Sequence, residues 1–145
     1  MKDFITELKS LNVGIVKENE PLSSHTTIKI GGPADLFIEP SSVENLIKTM
    51  ALVQEYQMNW RVIGRGSNLL VSDKGIEGVV IKLGEKLNQV DIAGTEIKAG
   101  AGYSLISLAI SAGKQGLTGL EFASGIPGCV YECRGTRFRY FEGLN

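Results

Sequence analysis

Residues 61–71 place a glycine-rich turn between two apolar stretches, and this arrangement constrains the fold more than any other local feature of the sequence. They read RVIGRGSNLLV. Gly64 and Gly66 have no Cβ, so their backbone can adopt positive φ and approach a ligand closely, with successive N–H groups converging on an anion. The side chains of Ser67 and Asn68 add further donors. The pattern predicts either a strand–turn–strand unit that binds phosphate or a tight turn whose glycines serve only its geometry.

The turn does not match the dinucleotide-binding fingerprint of the Rossmann fold. That fingerprint needs a third glycine and a helix that follows at once. Here Leu69 stands in the place of the third glycine, and residues 69–72 have the apolar pattern of a strand. The sequence therefore excludes a Rossmann loop.

Two further turns containing glycine and proline lie in apolar surroundings, one on each side of the first. Residues 22–37 read LSSHTTIKIGGPADLF, and residues 119–130 read GLEFASGIPGCV. Together the three segments resemble the flavin-binding domain of the UDP-N-acetylenolpyruvoylglucosamine reductase family, also called UDP-N-acetylmuramate dehydrogenase. The resemblance runs in register from residue 21 to residue 130 and follows the family's order of T-x-x-x-x-GGPAD, G-x-GSN-L-L and G-L-E-x-x-x-G-I-PG.

The resemblance implies an α+β fold of the PCMH type, built from two α/β subdomains. We expect these subdomains at residues 1–75 and 76–130, with the second one incomplete. It implies FAD as the cofactor and NADPH as the hydride donor. The residues implied in cofactor binding are Gly64, Arg65, Gly66, Ser67 and Asn68 at the diphosphate, the adjoining Leu69, then Gly125, Ile126, Pro127 and Gly128 along the flavin, and Thr27 nearby.

The implied reaction is the reduction of UDP-N-acetylglucosamine enolpyruvate to UDP-N-acetylmuramate in peptidoglycan biosynthesis. In the family, the proton donor, its acidic partner and a polarising arginine lie in later parts of the chain. None of those positions occurs in this sequence, so we expect no catalytic residue, no substrate domain and no reductase activity from the chain alone. The alternatives are a non-catalytic flavin- or nucleotide-binding module and an inactive product of a frameshifted gene.

Residues 131–145, YECRGTRFRYFEGLN, depart from the family pattern. Three arginines alternate with aromatic residues there, which is typical either of a nucleic-acid-binding patch or of a strand edge. A third interpretation is a slip of the reading frame, because one permitted set of codons, read one nucleotide later, spells the family-like run YMNAGAQGSDISRAL. On that interpretation we expect the segment to lack packing partners and to be poorly ordered.

Charge and composition exclude several classes of partner. The chain has 145 residues, with 15 Lys and Arg against 16 Asp and Glu, which gives a net charge of −1. A balanced chain has no basic footprint for nucleic acid or for an anionic membrane. The first residues mix charges into an apolar stretch, unlike a signal peptide or a membrane span, so we expect a cytoplasmic protein. The oligomeric state stays open.

The cysteines and the histidine do not predict a metal site. Cys129 and Cys133 are four positions apart, and the sole histidine, His25, lies more than a hundred positions away. A zinc site needs four ligands, or three and a water, so we expect two reduced thiols. A histidine joins the flavin covalently in some flavoproteins of this broad fold class, but the resemblance implies non-covalent FAD, and we expect His25 to be a surface or hydrogen-bonding residue.

Hydrophobic periodicity predicts alternating strands and helices. We expect a helix near residues 4–11 that Gly14 ends, a capping box at Ser41 and Glu44 that opens a second helix, and a third helix capped by Ser104. We assign to the core Trp60 and the stripe Val43, Leu46, Ile47, Met50 and Val53. Strands are expected at residues 27–30, 34–39, 60–63 and 79–83, with a hairpin formed by residues 90–92 and 96–99.

Overall fold

Four strands form the main sheet of the chain. The structure is a computed structural model, and it describes residues 1–135. The sheet has the order β1-β2-β4-β3, in which β1 is antiparallel to β2 and the other neighbours are parallel. Its strands are β1 Gly14–Pro21, β2 Pro33–Pro40, β3 Trp60–Ile63 and β4 Ile76–Lys82.

Two helices, α1 (Lys2–Ser10) and α2 (Val43–Glu55), cover one face of this sheet. Side chains from both helices join the cluster of buried residues that contains Leu36 and Ile38 of β2. The opposite face buries Phe37 with side chains from the turn segments. Strand β4 is apolar throughout its centre because it lies between two strands and is covered on both faces. Its fully buried residues are Val79, Val80 and Ile81.

The second part of the chain contains a two-stranded hairpin and two helices. Strands β5 (Val90–Ala93) and β6 (Glu96–Ala99) pair in antiparallel register, and α3 (Leu105–Lys114) and α4 (Val130–Gly135) follow. A separate apolar cluster forms between α3 and the 3-10 helix Glu121–Gly125. The structure confirms the α+β fold class, the strand at residues 60–63, the hairpin and the helix capped by Ser104, whose Oγ accepts from the Ser107 N–H.

The division into residues 1–75 and 76–130 stays a prediction. Strand β4 begins at Ile76, and it pairs with both β2 and β3 inside the main sheet. Since this strand is the centre of the first sheet, a boundary after Leu83 fits the pairing better.

Two predicted strands are wrong, and one strand was missed. Residues 27–30 form a tight turn, because the Lys29 N–H donates to the carbonyl of Thr26 and the Thr26 hydroxyl donates to the carbonyl of Ile30 at 2.9 Å. Residues 69–72 are not a strand, and the Ser72 carbonyl accepts from the N–H groups of Gly32 and Gly75. Strand β1 was not predicted.

The start of α2 and its buried face also differ from the prediction. The N-cap is Ser42, whose Oγ accepts from the N–H of Asn45 at 3.1 Å, so the capping box at Ser41 is wrong. Val43 and Ile47 are 61% and 63% exposed, and their assignment to the core is wrong. Trp60 is also mostly outside the core, at 44% exposed, whereas the buried residues of α2 are Thr49, Leu52 and Val53.

The ends of the chain show two further differences. Helix α1 ends at Ser10, ahead of the predicted stop at Gly14, which lies in β1. Helix α4 includes residues 131–135, and Glu132 makes contacts described below, so the expectation of no packing partners is wrong for that residue. For the side chains of residues 133–135 and for all of residues 136–145, that prediction lies outside the described part of the structure. Within residues 1–135, no helix is long and apolar enough to cross a membrane.

Candidate functional site

The five residues after β3 form a turn that we call the glycine loop: Gly64, Arg65, Gly66, Ser67 and Asn68. Gly66 has φ +70°, in the region that favours glycine, and a Cβ there would overlap the carbonyl oxygen of His25. A Cβ on Gly64 would overlap the sulfur of Cys129. The loop therefore requires glycine at both positions because other backbone and side-chain atoms lie against them.

The segment of residues 22–33 contacts the glycine loop from one side. The N–H of Thr27 donates to the carbonyl of Gly66 at 3.0 Å. A little further along, the N–H of Gly32 donates to the carbonyl of Ser72 at 2.9 Å. These backbone hydrogen bonds join the turn in residues 22–37 to the glycine loop and to the residues that follow it.

The third turn reaches the loop from the other side through Glu132. Its Oε1 accepts from the N–H of Gly66 at 3.0 Å, and its Oε2 accepts from the N–H of Cys129 at 2.8 Å. Gly128 is buried, has φ +136° and lies next to this carboxylate. One carboxylate therefore connects Gly66 of the glycine loop to Cys129 at the end of the third turn.

The contact with Glu132 also tests whether the loop fits an anionic group. A backbone N–H in a turn of this kind is a fixed partial positive charge, and here it already donates to a carboxylate oxygen. The loop therefore has a backbone donor of the kind that a phosphate oxygen requires.

The structure separates the predicted site residues into two groups. Thr27, Gly64, Gly66 and Gly128 lie against one another or against Glu132. The others lie around that centre: Arg65, Asn68, Gly125 and Pro127 are exposed, and Ser67, Leu69 and Ile126 are partly buried. Leu69 packs against the apolar cluster under the main sheet, and Ile126 packs against the cluster beside α3.

His25 is a hydrogen-bonding residue, as predicted. Its Nε2 lies 2.9 Å from Oε1 of Glu20, and its Nδ1 lies 3.1 Å from Nζ of Lys82. The ring stacks on Phe37 with centroids 4.2 Å apart. Hydrogen bonds from Lys17 and then from His25 hold the pKa of Glu20 below its usual value. The His25 ring therefore contacts residues of the main sheet, whereas the backbone carbonyl oxygen of His25 lies next to Gly66.

Two residues that support the site were not identified from the sequence. Asp35, the last residue of the GGPAD motif, accepts the N–H of Gly78 at 2.8 Å and thereby ties β2 to the start of β4. Glu132 stands three positions after the N-cap Cys129 of α4. That spacing is the signal of a reciprocal cap, but the usual Ser or Thr is missing, so the pattern is easily overlooked.

Cys129 is fully buried, and this burial raises the pKa of its thiol. It is a free cysteine. The side chain of Cys133 lies outside the described part of the structure. Among the residues that are described, no three histidine, cysteine or acidic side chains form a group that could hold a metal ion.

Comparison with known proteins identifies the family of the chain. The family profile of the FAD binding domain matches residues 34–131. The UDP-N-acetylenolpyruvoylglucosamine reductase of Anoxybacillus flavithermus is 63% identical over 130 residues, and that of Bacillus subtilis is 55% identical over 130 residues. These matches cover 90% of this chain and 43% of each relative, so the chain spans less than half the length of the relatives.

Solved structures give the same result. The UDP-N-acetylenolpyruvylglucosamine reductase of Thermus caldophilus superposes with a TM-score of 0.61 and 36% identity, covering 80% of this chain and 40% of that one. An alkyldihydroxyacetonephosphate synthase, at 22% identity and a TM-score of 0.60 over 80% of this chain and 25% of its own, shares the fold. Because the family profile spans more than half of the 145 residues, this chain belongs to the FAD binding domain family.

Proposed function

We propose that the glycine loop binds the diphosphate of FAD. The observation that carries this proposal is the Gly66 N–H, which already donates to a negatively charged carboxylate oxygen. A diphosphate needs several converging donors, and Ser67 and Asn68, the next two residues, have half-buried and exposed side chains that would supply them. Arg65 is exposed and adds a positive charge near the same place.

The flavin ring would lie along residues 125–128, with Thr27 near the cofactor. An isoalloxazine needs an apolar surface with backbone polar groups nearby. Gly125 and Pro127 are exposed, and a Cβ on Gly125 would meet none of the described atoms within 4 Å, so this segment has open space at its surface. When bound, FAD supplies the capacity to accept and pass on a hydride, while the residues named here would bind and orient it.

We also propose that the chain acts as the FAD-binding part of a cytoplasmic, NADPH-dependent reductase of UDP-N-acetylglucosamine enolpyruvate. The support is the similarity to two UDP-N-acetylenolpyruvoylglucosamine reductases, which are 55% and 63% identical to this chain over 130 residues. The test of this proposal is NADPH oxidation that depends on the enolpyruvyl substrate. The relatives are more than twice as long as this chain. Turnover by this chain alone would show that the site described here suffices for the reaction.

Flavin fluorescence titration of the purified chain tests the cofactor proposal. We expect FAD binding in the wild-type chain and a loss of at least about tenfold in the Gly66→Val variant, because a β-branched residue at positive φ is strained and would overlap His25. Gly116→Val is the matched control, since Gly116 has φ +74° but a Cβ there would meet none of the described atoms within 4 Å. Equal affinity in all three proteins would mean that the glycine loop is only a turn.

A further inference from the structure

The carboxylate of Glu132 lies between two glycine segments. It accepts hydrogen bonds from the N–H groups of Gly66 and Cys129, and it also lies close to the Cα atoms of Gly64 and Gly128. A Cβ on Gly64 would lie 2.7 Å from its Cδ, and a Cβ on Gly128 would lie 2.9 Å from its Oε2. The absence of side chains at these glycines therefore leaves the space that the carboxylate fills.

The two oxygens of Glu132 have different roles. Oε2 accepts from the N–H of Cys129, the residue before α4, which is the backward half of a capping box and helps to begin that helix. Oε1 is not needed for that cap. It accepts from the N–H of Gly66, which belongs to a loop far away in sequence. The first contact holds the side chain in place, and the second places a negative charge in the glycine loop.

We propose that Glu132 is an internal competitor for the anion position of the glycine loop, and that a phosphate ligand binds there only after displacing this carboxylate. The identification of the ligand as FAD rests on the function proposed above. The competition follows from charge and geometry. The Gly66 N–H is a single donor, and two negative groups that share it at hydrogen-bond distance repel each other.

The competition lowers the apparent affinity for the ligand by the fraction of molecules in which the carboxylate has left the loop. A neutral side chain of the same shape removes the repulsion and weakens the competing hydrogen bond, because bonds to a charged acceptor are stronger than neutral ones. Glu132→Gln should therefore bind anions more tightly than the wild-type chain, which is the opposite of what a purely supporting residue would show.

Inorganic pyrophosphate is the probe that tests this directly. The amide resonance of Gly66 is followed by ¹H–¹⁵N NMR during a titration at constant ionic strength, for the wild-type chain and for Glu132→Gln. We expect the dissociation constant of pyrophosphate to fall by roughly tenfold in the variant. Glu121→Gln is the matched control, because the exposed Glu121 also accepts a backbone N–H, that of Gly119 at 2.8 Å, at the start of the third turn. It should bind pyrophosphate as the wild-type chain does.

Two outcomes would overturn the proposal: equal pyrophosphate affinity in the wild-type chain and Glu132→Gln, or binding to neither protein. If Glu132→Gln does not give a folded spectrum, Glu132→Asp replaces it. The shorter side chain keeps a carboxylate that can cap α4, but it places that carboxylate farther from the N–H of Gly66. A parallel FAD titration separates this inference from the proposed function. Tighter pyrophosphate binding without any FAD binding would support the competition and contradict the cofactor proposal.

Discussion

The two glycine segments of the site differ in what surrounds them. In the glycine loop, a Cβ on Gly64 or Gly66 would overlap atoms of other segments, and both glycines are buried. At Gly125, a Cβ would meet none of the described atoms within 4 Å, and the residue is exposed. The glycines of the first segment are required by the packing of the chain itself, and Gly128 of the second segment is likewise buried next to Glu132, whereas Gly125 has open space around it.

This difference separates two reasons for a glycine in a binding motif. A glycine under tertiary packing is needed for folding whether or not a ligand binds, so its presence alone says little about a cofactor. A glycine in open space at a position without positive φ has no such structural reason, and it leaves room for the close approach of a ligand. Gly113 of α3 meets the same two conditions, so open space alone does not identify a binding glycine. Gly125 differs from Gly113 in its place in the segment where we propose that the flavin lies.

The largest effect that we expect comes from alanine at these two positions. Neither Gly64 nor Gly125 has positive φ, so the same substitution differs only in its surroundings. Gly64→Ala should destabilise the chain by about 2–3 kcal/mol, because the added methyl overpacks against Cys129 and Glu132. Gly125→Ala should be neutral or stabilising by about 0.5 kcal/mol, since it reduces the entropy of the unfolded chain. Urea unfolding measures both, and equal losses would remove the distinction between the segments.

The features that sequence predicted well depend on local signals. The hairpin turns at Gly94, which has φ +60°, and Ser104 caps its own helix, so neighbours in sequence suffice to predict both. Strand β1 was missed because it lies at the edge of the sheet and carries mainly polar residues, which gives it little apolar periodicity. The contacts of Gly66 with Thr27 and Glu132 are tertiary, and neither periodicity nor the family resemblance predicted them. The resemblance implied only that residues of the three turns bind one cofactor.

The buried face of α2 was predicted correctly only in part. Val53 is buried, and Leu46 and Met50 pack against the same cluster, as predicted. Thr49 is fully buried because its hydroxyl donates to the carbonyl of Asn45 at 2.7 Å, so a polar residue occupies the core without an unsatisfied group. Val43 and Ile47 are apolar but exposed. Hydrophobic spacing identifies an apolar stripe, but it does not reveal that a threonine with a hydrogen-bonded hydroxyl can be buried. The buried residues of α2 are therefore Thr49, Leu52 and Val53 rather than the whole stripe. The contact of Glu132 with the glycine loop was equally hidden, because it joins residues distant in sequence.

His25→Ala tests how firmly the first side of the glycine loop is held. The substitution removes the stacking on Phe37 and the contacts with Glu20 and Lys82, and we expect a loss of about 1–2 kcal/mol in unfolding free energy. Thr27→Ala is the matched control in the same segment, because its contact with the loop is made by backbone N–H and its side chain is exposed. A stable His25→Ala variant would show that the backbone contacts hold the loop without the side chain.

Asn68→Ala tests the contribution of side chains to the loop. Asn68 is exposed, so its removal should leave the unfolding free energy unchanged within about 0.5 kcal/mol. If its amide donates to the FAD diphosphate, the loss of one neutral hydrogen bond should weaken FAD binding by about 1 kcal/mol, which is roughly fivefold. Flavin fluorescence titration measures the affinity. No change would assign FAD recognition to the backbone of the loop rather than to this side chain.

The smallest effect that we expect concerns Glu20, whose Oε1 lies 2.9 Å from Nε2 of His25. Hydrogen bonds from Lys17 and then His25 lower the pKa of Glu20 below its ordinary value of 4.5, so the folded state binds this proton less tightly than the unfolded state. The resulting stability is present above pH 4.5 and is lost as the pH falls through the lowered pKa of the folded state. Glu20→Gln should therefore be less stable than the wild-type chain at pH 7 by a few tenths to about 1 kcal/mol, and the gap should close in acid. Urea unfolding at a series of pH values measures the gap, and a constant difference at every pH would show that the charge of Glu20 does not stabilise this side of the site.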